Sequence, residues 1–222
     1  MQEKIYKHRL KLTKTGALRF ISHLDWQSLI LKIFRRCEVK LVLSEGFNKM
    51  PRVSYSPALP IFIESVCELV NFQTKEELDP DFLEKFKKNS PEGLEIIELK
   101  PVMENEPKSL ENYCQWAQYS ALIKKSVYNL DEIRYIIDNC LSSDEILIEK
   151  KTKKGILKKV NYRNSLKTLE IKDDNALNFI LKAGQSDTIP AYRADEFLKH
   201  LFKDTDFSIK RIQFFDIDMR TI

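Results

Sequence analysis

Ser22-His23-Leu24-Asp25-Trp26-Gln27-Ser28-Leu29-Ile30-Leu31-Lys32-Ile33-Phe34-Arg35-Arg36-Cys37 decides how the rest of the chain is read. Ser22 is a natural helix N-cap with Asp25 three positions on, and Trp26, Ile30, Ile33, Phe34 and Cys37 return at helical spacing on one face. Arg35 and Arg36 close this helix, where its dipole favours cations. Before it, Lys4–Leu12 alternates Ile5, Lys7, Arg9 and Lys11 with Tyr6, His8, Leu10 and Leu12, the period of a strand. After it, Val39–Leu43 reads as a short strand, Ser44–Pro60 as a long loop punctuated by Gly46, Pro51, Pro57 and Pro60, and Ile61–Phe72 as a strand. Asp79-Pro80 opens a second helix with Phe82, Leu83 and Phe86 inward, Asn89-Ser90-Pro91-Glu92-Gly93 ends it, and Leu94–Pro101 is strand again. The order β-α-β-β-α-β predicts a ferredoxin-like unit, an antiparallel sheet with two helices on one face.

Residues 102–113 are polar, break the pattern and read as a linker. Beyond them come a strand at Cys114–Lys124, a helix at Leu130–Leu141, and strands at Glu145–Lys150 and Ile156–Asn161 around a Lys-Gly turn. Strands at Ser165–Ile171 and Leu177–Lys182, a helix at Arg193–Phe202 and a strand at Phe207–Ile217 complete the chain. The expected fold is therefore α+β: two tandem ferredoxin-like modules, residues 1–101 and 114–222, the second carrying an extra hairpin.

The 222 residues are 43% hydrophobic, ample for a packed core, so overall disorder is excluded. There is no run of about 18 apolar residues, and Met-Gln-Glu-Lys-Ile-Tyr-Lys at the start lacks the apolar centre of a secretory signal. The expectation is a soluble cytoplasmic protein with no membrane partner. Cys37, Cys67, Cys114 and Cys140 are widely spaced within apolar periodic segments and read as reduced core thiols. No cysteine triad or metal-ligand spacing occurs, so no metal and no cofactor are expected.

Charge is uneven. Residues 1–57 carry twelve Lys/Arg against four Asp/Glu, residues 64–113 six against thirteen, and residues 150–172 nine against one. Two basic stretches around an acidic one imply a polarised surface that can meet a polyanion. Lys150, Lys151, Lys153, Lys154, Lys158 and Lys159 crowd the hairpin with Arg163 just beyond, the best polyanion-contacting element of the second half. The competing reading is an edge hairpin that its lysines protect from aggregation.

Two polar clusters mark a candidate substrate-binding site. The first holds Arg19, Ser22, His23 and Asp25; the second is the loop with Ser44, Glu45, Asn48, Lys49 and Arg52. His23, in the first turn of a helix, has the chemistry of a general acid or base, and the helix N-terminus there favours its neutral form. Ser22 and Asp25 equally well do no more than cap that helix. The loop has a glycine at Gly46 for turning and cations for a phosphate, but no Gly-Lys-Ser/Thr, so it is not a P-loop.

Arg9-Leu10 with Lys14 and Gly16, Leu18-Arg19-Phe20-Ile21-Ser22-His23-Leu24-Asp25, Arg35-Arg36 and Ser44-Glu45-Gly46-Phe47-Asn48 resemble the radical SAM-linked proteins. The likeness continues through Pro51-Arg52-Val53-Ser54, Ala58-Leu59-Pro60 and Glu64-Ser65, and more loosely at Ala194-Asp195-Glu196-Phe197-Leu198. Members of that bacterial family stand beside, or are fused to, radical SAM enzymes. Lys49-Met50 occupies the place of the family's usual Pro-His, removing a second loop histidine, and Phe62 stands where the family often has Gly. The resemblance implies partnership with a radical SAM enzyme, not radical chemistry in this chain.

Two functions fit these readings. One is a non-catalytic accessory module that binds an RNA or protein substrate, with Arg19, His23, Lys49, Arg52 and the lysine hairpin on its binding face. The other is a metal-independent endoribonuclease with His23 as general acid or base, helped by Arg19 and Asp25, and Arg19 or Lys49 stabilising the phosphorane. An acidic protein-docking surface within 64–113 is a third option.

Overall fold

Strand β1 (Tyr6–Lys14) carries out the alternation written in its sequence: Leu10 and Leu12 enter a core that Arg9 and Lys11 do not join. That core is completed by Trp26, Ile30, Ile33 and Phe34 of α1 (His23–Arg36), Val70 and Phe72 of a later strand, and Phe82 and Phe86 of α2 (Phe82–Asn89). Phe34 is its hub, with ring centroids 4.6 Å from Phe72 and 6.5 Å from Phe82. Full burial of each such ring contributes about 1.5–3 kcal/mol. The structure, a computed structural model, describes all residues except 1–3, 105, 108, 152–154, 156, 174 and 187, with only the backbone at Lys150 and Lys151.

The chain divides into two compact units, Met1–Cys114 and Gln115–Ile222. In the first, β1 lies between β3 (Glu64–Thr74) and β4 (Ile96–Pro101), and β2 (Val53–Tyr55) pairs with the other side of β3. All three pairings are antiparallel, giving the order β4-β1-β3-β2. The edge strand differs from expectation. Val39–Leu43 forms only isolated bridges, Leu41 to Thr74 and Leu43 to Pro51, while the three-residue strand sits inside the stretch read as loop. Around the Leu43–Pro51 bridge, Ser44 N–H donates to the Met50 carbonyl and Arg52 N–H to the Val42 carbonyl, after which Val53-Ser54-Tyr55 resumes the alternation and pairs with Val70–Phe72.

From the stretch read as a linker, Val102, Glu106 and Leu110–Tyr113 lie against β1, β2 and β3. Arg9, opposite Asn71 in the sheet, donates from Nε to its Oδ1 at 2.8 Å, pairs with Glu106 and stands 5.1 Å from the centre of the Tyr113 ring. The short helix α3 (Leu110–Tyr113) buries Leu110, whose N–H donates to Ser54 Oγ at 2.9 Å.

The second unit runs β5 (Trp116–Lys125), α4 (Leu130–Ser142), the hairpin β6 (Leu147–Lys151) and β7 (Leu157–Asn161), β8 (Leu166–Asp173), β9 (Ala176–Lys182), α5 (Ala194–Leu201) and β10 (Asp206–Phe215). Its sheet has the order β10-β5-β9-β8, again antiparallel throughout, with β6 and β7 paired apart from it. Tyr119 stacks on Phe179 at 5.5 Å, and Phe179 meets Phe197 of α5 at 5.4 Å. Asn129 and Glu132 close a reciprocal capping box at the start of α4. Both units are thus mixed α+β with antiparallel sheets. No helix among the described residues is long and apolar enough to cross a membrane.

Candidate functional site

The approach to α1 is fixed from three sides. Lys14, buried at the end of β1, donates from Nζ to the Ile21 carbonyl at 3.0 Å and stands 5.7 Å from the Trp26 ring. Glu64 accepts the Gly16 N–H at 3.0 Å and faces Arg19 Nη1 at 3.5 Å. The Arg19 carbonyl accepts the Phe62 N–H at 2.8 Å. Phe62 has φ +75°, the left-handed region where glycine is favoured, and its exposed ring meets Phe20 edge-on at 5.6 Å. Glycine at this position would adopt the backbone without strain.

With the turn so held, Ser22 caps α1: its Oγ accepts the Asp25 N–H at 3.1 Å and donates to Asp25 Oδ2 at 2.7 Å. These two side chains therefore serve the helix start. His23, the first residue of α1, is half-buried and turns towards β2. Its Nε2 is 2.8 Å from Gln27 Nε2, one turn along, and its ring lies edge-on to Tyr55 at 6.3 Å. Together with Met50, Pro51, Ser54 and Glu111 these residues line a cleft of about 410 Å³. Burial pushes the Tyr55 phenol well up, so it stays a hydrogen-bond donor, aimed at the Gln27 carbonyl 3.4 Å away.

The loop of the second cluster folds back on itself. Ser44 closes it, its N–H donating to the Met50 carbonyl at 2.7 Å and its Oγ accepting the Met50 N–H at 3.0 Å. Glu45 and Arg52 form an exposed ion pair at 3.6 Å, worth no more than about 1 kcal/mol. Asn48 and Lys49 are exposed. Arg52 also lines a second cleft, of about 510 Å³, with Lys7, Ser54, Asn71, Gln73 and Glu106.

The sequence-selected residues thus fall into separate pairs: Ser22 with Asp25, Arg19 with Glu64, Glu45 with Arg52. Of the second cluster's loop, Met50 and Pro51 line the same cleft as His23, and Arg19 is not among its lining residues. Gln27, Ser54 and Tyr55 escaped the sequence reading. Gln27 was legible from its i,i+4 spacing to His23; Tyr55 was hidden because residues 53–55 read as loop.

In the second unit, Lys158 of β7 is exposed and faces Lys150 across the hairpin. Lys153 and Lys154 lie outside the described residues, as do the side chains of Lys150 and Lys151. Arg163 is engaged locally, donating from Nε to the Ser143 carbonyl at 2.9 Å and from Nη2 to the Leu141 carbonyl at 3.1 Å, at the C-terminus of α4.

Cys37, Cys67, Cys114 and Cys140 are buried thiols, and burial pushes Cys37 and Cys140 up, away from the reactive thiolate. Among the described residues no three of His, Cys, Asp and Glu stand where they could share a metal ion.

No curated protein matches this sequence. Residues 7–190, which include β1 but for Tyr6, both polar clusters, the cleft and most of the second unit, match a bacterial family described as "Uncharacterized protein conserved in bacteria (DUF2344)". The match spans well over half of the chain, which belongs to that family.

Proposed function

We propose that this chain is a non-catalytic, RNA-binding accessory protein of a radical SAM enzyme, built from two ferredoxin-like modules and working in the cytoplasm. The strand orders β4-β1-β3-β2 and β10-β5-β9-β8 support the modular reading, since each corresponds to the 4-1-3-2 order of a β-α-β-β-α-β unit. The hairpin β6–β7 is then the insertion in the second. The radical SAM partnership rests on the sequence resemblance.

The observation that carries the RNA reading is the His23–Tyr55 cleft. It offers two aromatic rings and the hydrogen-bonding side chains of Gln27 and Ser54, in a volume that suits one nucleoside-sized group. Exposed Lys49 and Arg52 flank its lining residues Met50 and Pro51 and supply phosphate contacts. Single-stranded RNA is recognised in this way, by unstacked bases set against rings with cations along the backbone. The nuclease alternative is less well supported: His23 Nε2 is already engaged by Gln27, and Arg19 is held by Glu64.

The test is fluorescence anisotropy with random-sequence single-stranded RNA 12-mers at two salt concentrations, followed by gel analysis for cuts. Salt-sensitive binding to intact RNA, weakened about tenfold or more in His23→Ala, is expected. Cutting abolished by His23→Ala establishes the endoribonuclease instead, and no binding at either salt refutes the RNA reading. The partner claim is tested separately: tagged full-length chain should co-purify a radical SAM enzyme from its native cells, and repeated failure to do so removes that claim.

A further inference from the structure

Of the acidic residues in the 64–113 stretch only Glu111 is among the residues lining the His23 cleft, and the fold gathers another part of the stretch around an open sheet edge. Strand β4 ends the sheet order of the first unit, and among the described residues no strand pairs with its outer side. Between β4 and α2 runs a groove of about 720 Å³ with Leu83, Phe86, Leu94, Ile97 and Leu99 among its apolar lining. Leu83 and Ile97 are half exposed, at 48% and 50%. The register shift between Lys11 and Leu12 leaves Ile97 as the extra residue of a bulge, outside the pairing with β1. The charged lining is Glu84, Glu92, Glu95 and Glu98 against one cation, Lys87. Glu98 already faces Lys100 at 3.2 Å, on a surface-exposed pair that an incoming cation can replace.

We infer that this groove docks an extended segment of a protein partner in which apolar residues alternate with Lys or Arg. The segment adds to the outer edge of β4, its backbone pairing with the free groups of the strand. Alternate side chains then point to opposite sides: the apolar ones cover the exposed Leu83 and Ile97, and the basic ones meet Glu95 and Glu98. An acidic partner is repelled by the same arrangement, so charge selects the occupant. This surface is formed by other residues than the His23 cleft, and the inference stands whether or not RNA binds there.

The experiment titrates the full chain with a nine-residue peptide of alternating Lys and Val and with its counterpart of alternating Glu and Val, followed by amide chemical shifts. The basic peptide is expected to bind at least tenfold more tightly, with shifts concentrated on residues 94–101 and on α2. Glu95→Lys combined with Glu98→Lys should weaken it at least tenfold, and Ile97→Lys, a change at an exposed position, should do so independently. Equal binding of the two peptides, shifts confined to other elements, or unchanged affinity in both variants overturns the inference. So does a concentration-dependent dimer that Ile97→Lys abolishes, because the occupant is then a second copy of the chain.

Discussion

Gly93→Ala probes the seam that holds the end of α2 to the end of β1. Gly93 has φ +87°, and a Cβ built there meets the Thr15 carbonyl oxygen at 2.3 Å and its carbon at 3.0 Å. Backbone atoms cannot swing aside as a flexible side chain does, so the two segments must separate. The Gly93 carbonyl accepts the Thr15 N–H at 3.1 Å and the Thr13 hydroxyl at 2.8 Å, and both bonds lengthen when that happens. Left-handed strain of about 1–3 kcal/mol and two weakened hydrogen bonds of about 1 kcal/mol each give a loss of about 3–5 kcal/mol. Gly46→Ala is the control, since its φ is +117° but nothing lies within 4 Å of the added carbon, leaving the strain alone. Urea denaturation of both variants, followed by Trp26 fluorescence in a Trp116→Phe background, should place Gly93→Ala about 2 kcal/mol below Gly46→Ala. A loss at Gly93 no larger than that at Gly46 would refute the clash argument.

Other expectations concern the pieces around the site. Ser22→Ala should cost about 1 kcal/mol by removing the cap of α1, read from the urea midpoint. Glu106→Ala leaves the buried Arg9 guanidinium without its carboxylate and should cost about 3–5 kcal/mol, of which Arg9→Met in the same chain restores a part; an additive double variant contradicts the pairing. Burial holds the His8 imidazolium pKa below the ordinary histidine value of about 6.5, so the unfolded chain takes up a proton first as pH falls. His8 therefore contributes full stability above about pH 6.5, and that contribution is lost as pH drops below it towards the lower folded value. Urea midpoints between pH 7 and pH 5 should fall less steeply in His8→Gln, with His200, also depressed by burial and by Lys203, supplying a residual slope. Phe62→Gly relieves the left-handed strain but gives up the ring contact with Phe20, two effects of about 1 kcal/mol each, so its midpoint should stay within about 1 kcal/mol of wild type.

Periodicity made most of the framework legible because core packing here follows local pattern. Trp26, Ile30, Ile33 and Phe34 face the core as their spacing requires, and Ser22 caps the helix as its residue type requires. The edge strand was less legible: Leu41 and Leu43 alternate well enough for a strand, yet they form only isolated bridges and Val53–Tyr55 pairs with β3, a choice made by β3 and not by local propensity. The site was legible only as a neighbourhood. Polar residues in one loop looked like a set, but Glu64, 45 positions from Arg19, takes that guanidinium, and the cleft is completed by a tyrosine 32 positions from His23. Partners that distant in sequence leave no periodic trace.

The most direct test of the central claim is an amide chemical-shift map of the protein titrated with single-stranded RNA 12-mers at low salt. The account predicts shifts centred on His23, Gln27 and residues 50–55, fading as salt is raised. Saturable binding that leaves those residues unmoved and shifts other surfaces instead would contradict it.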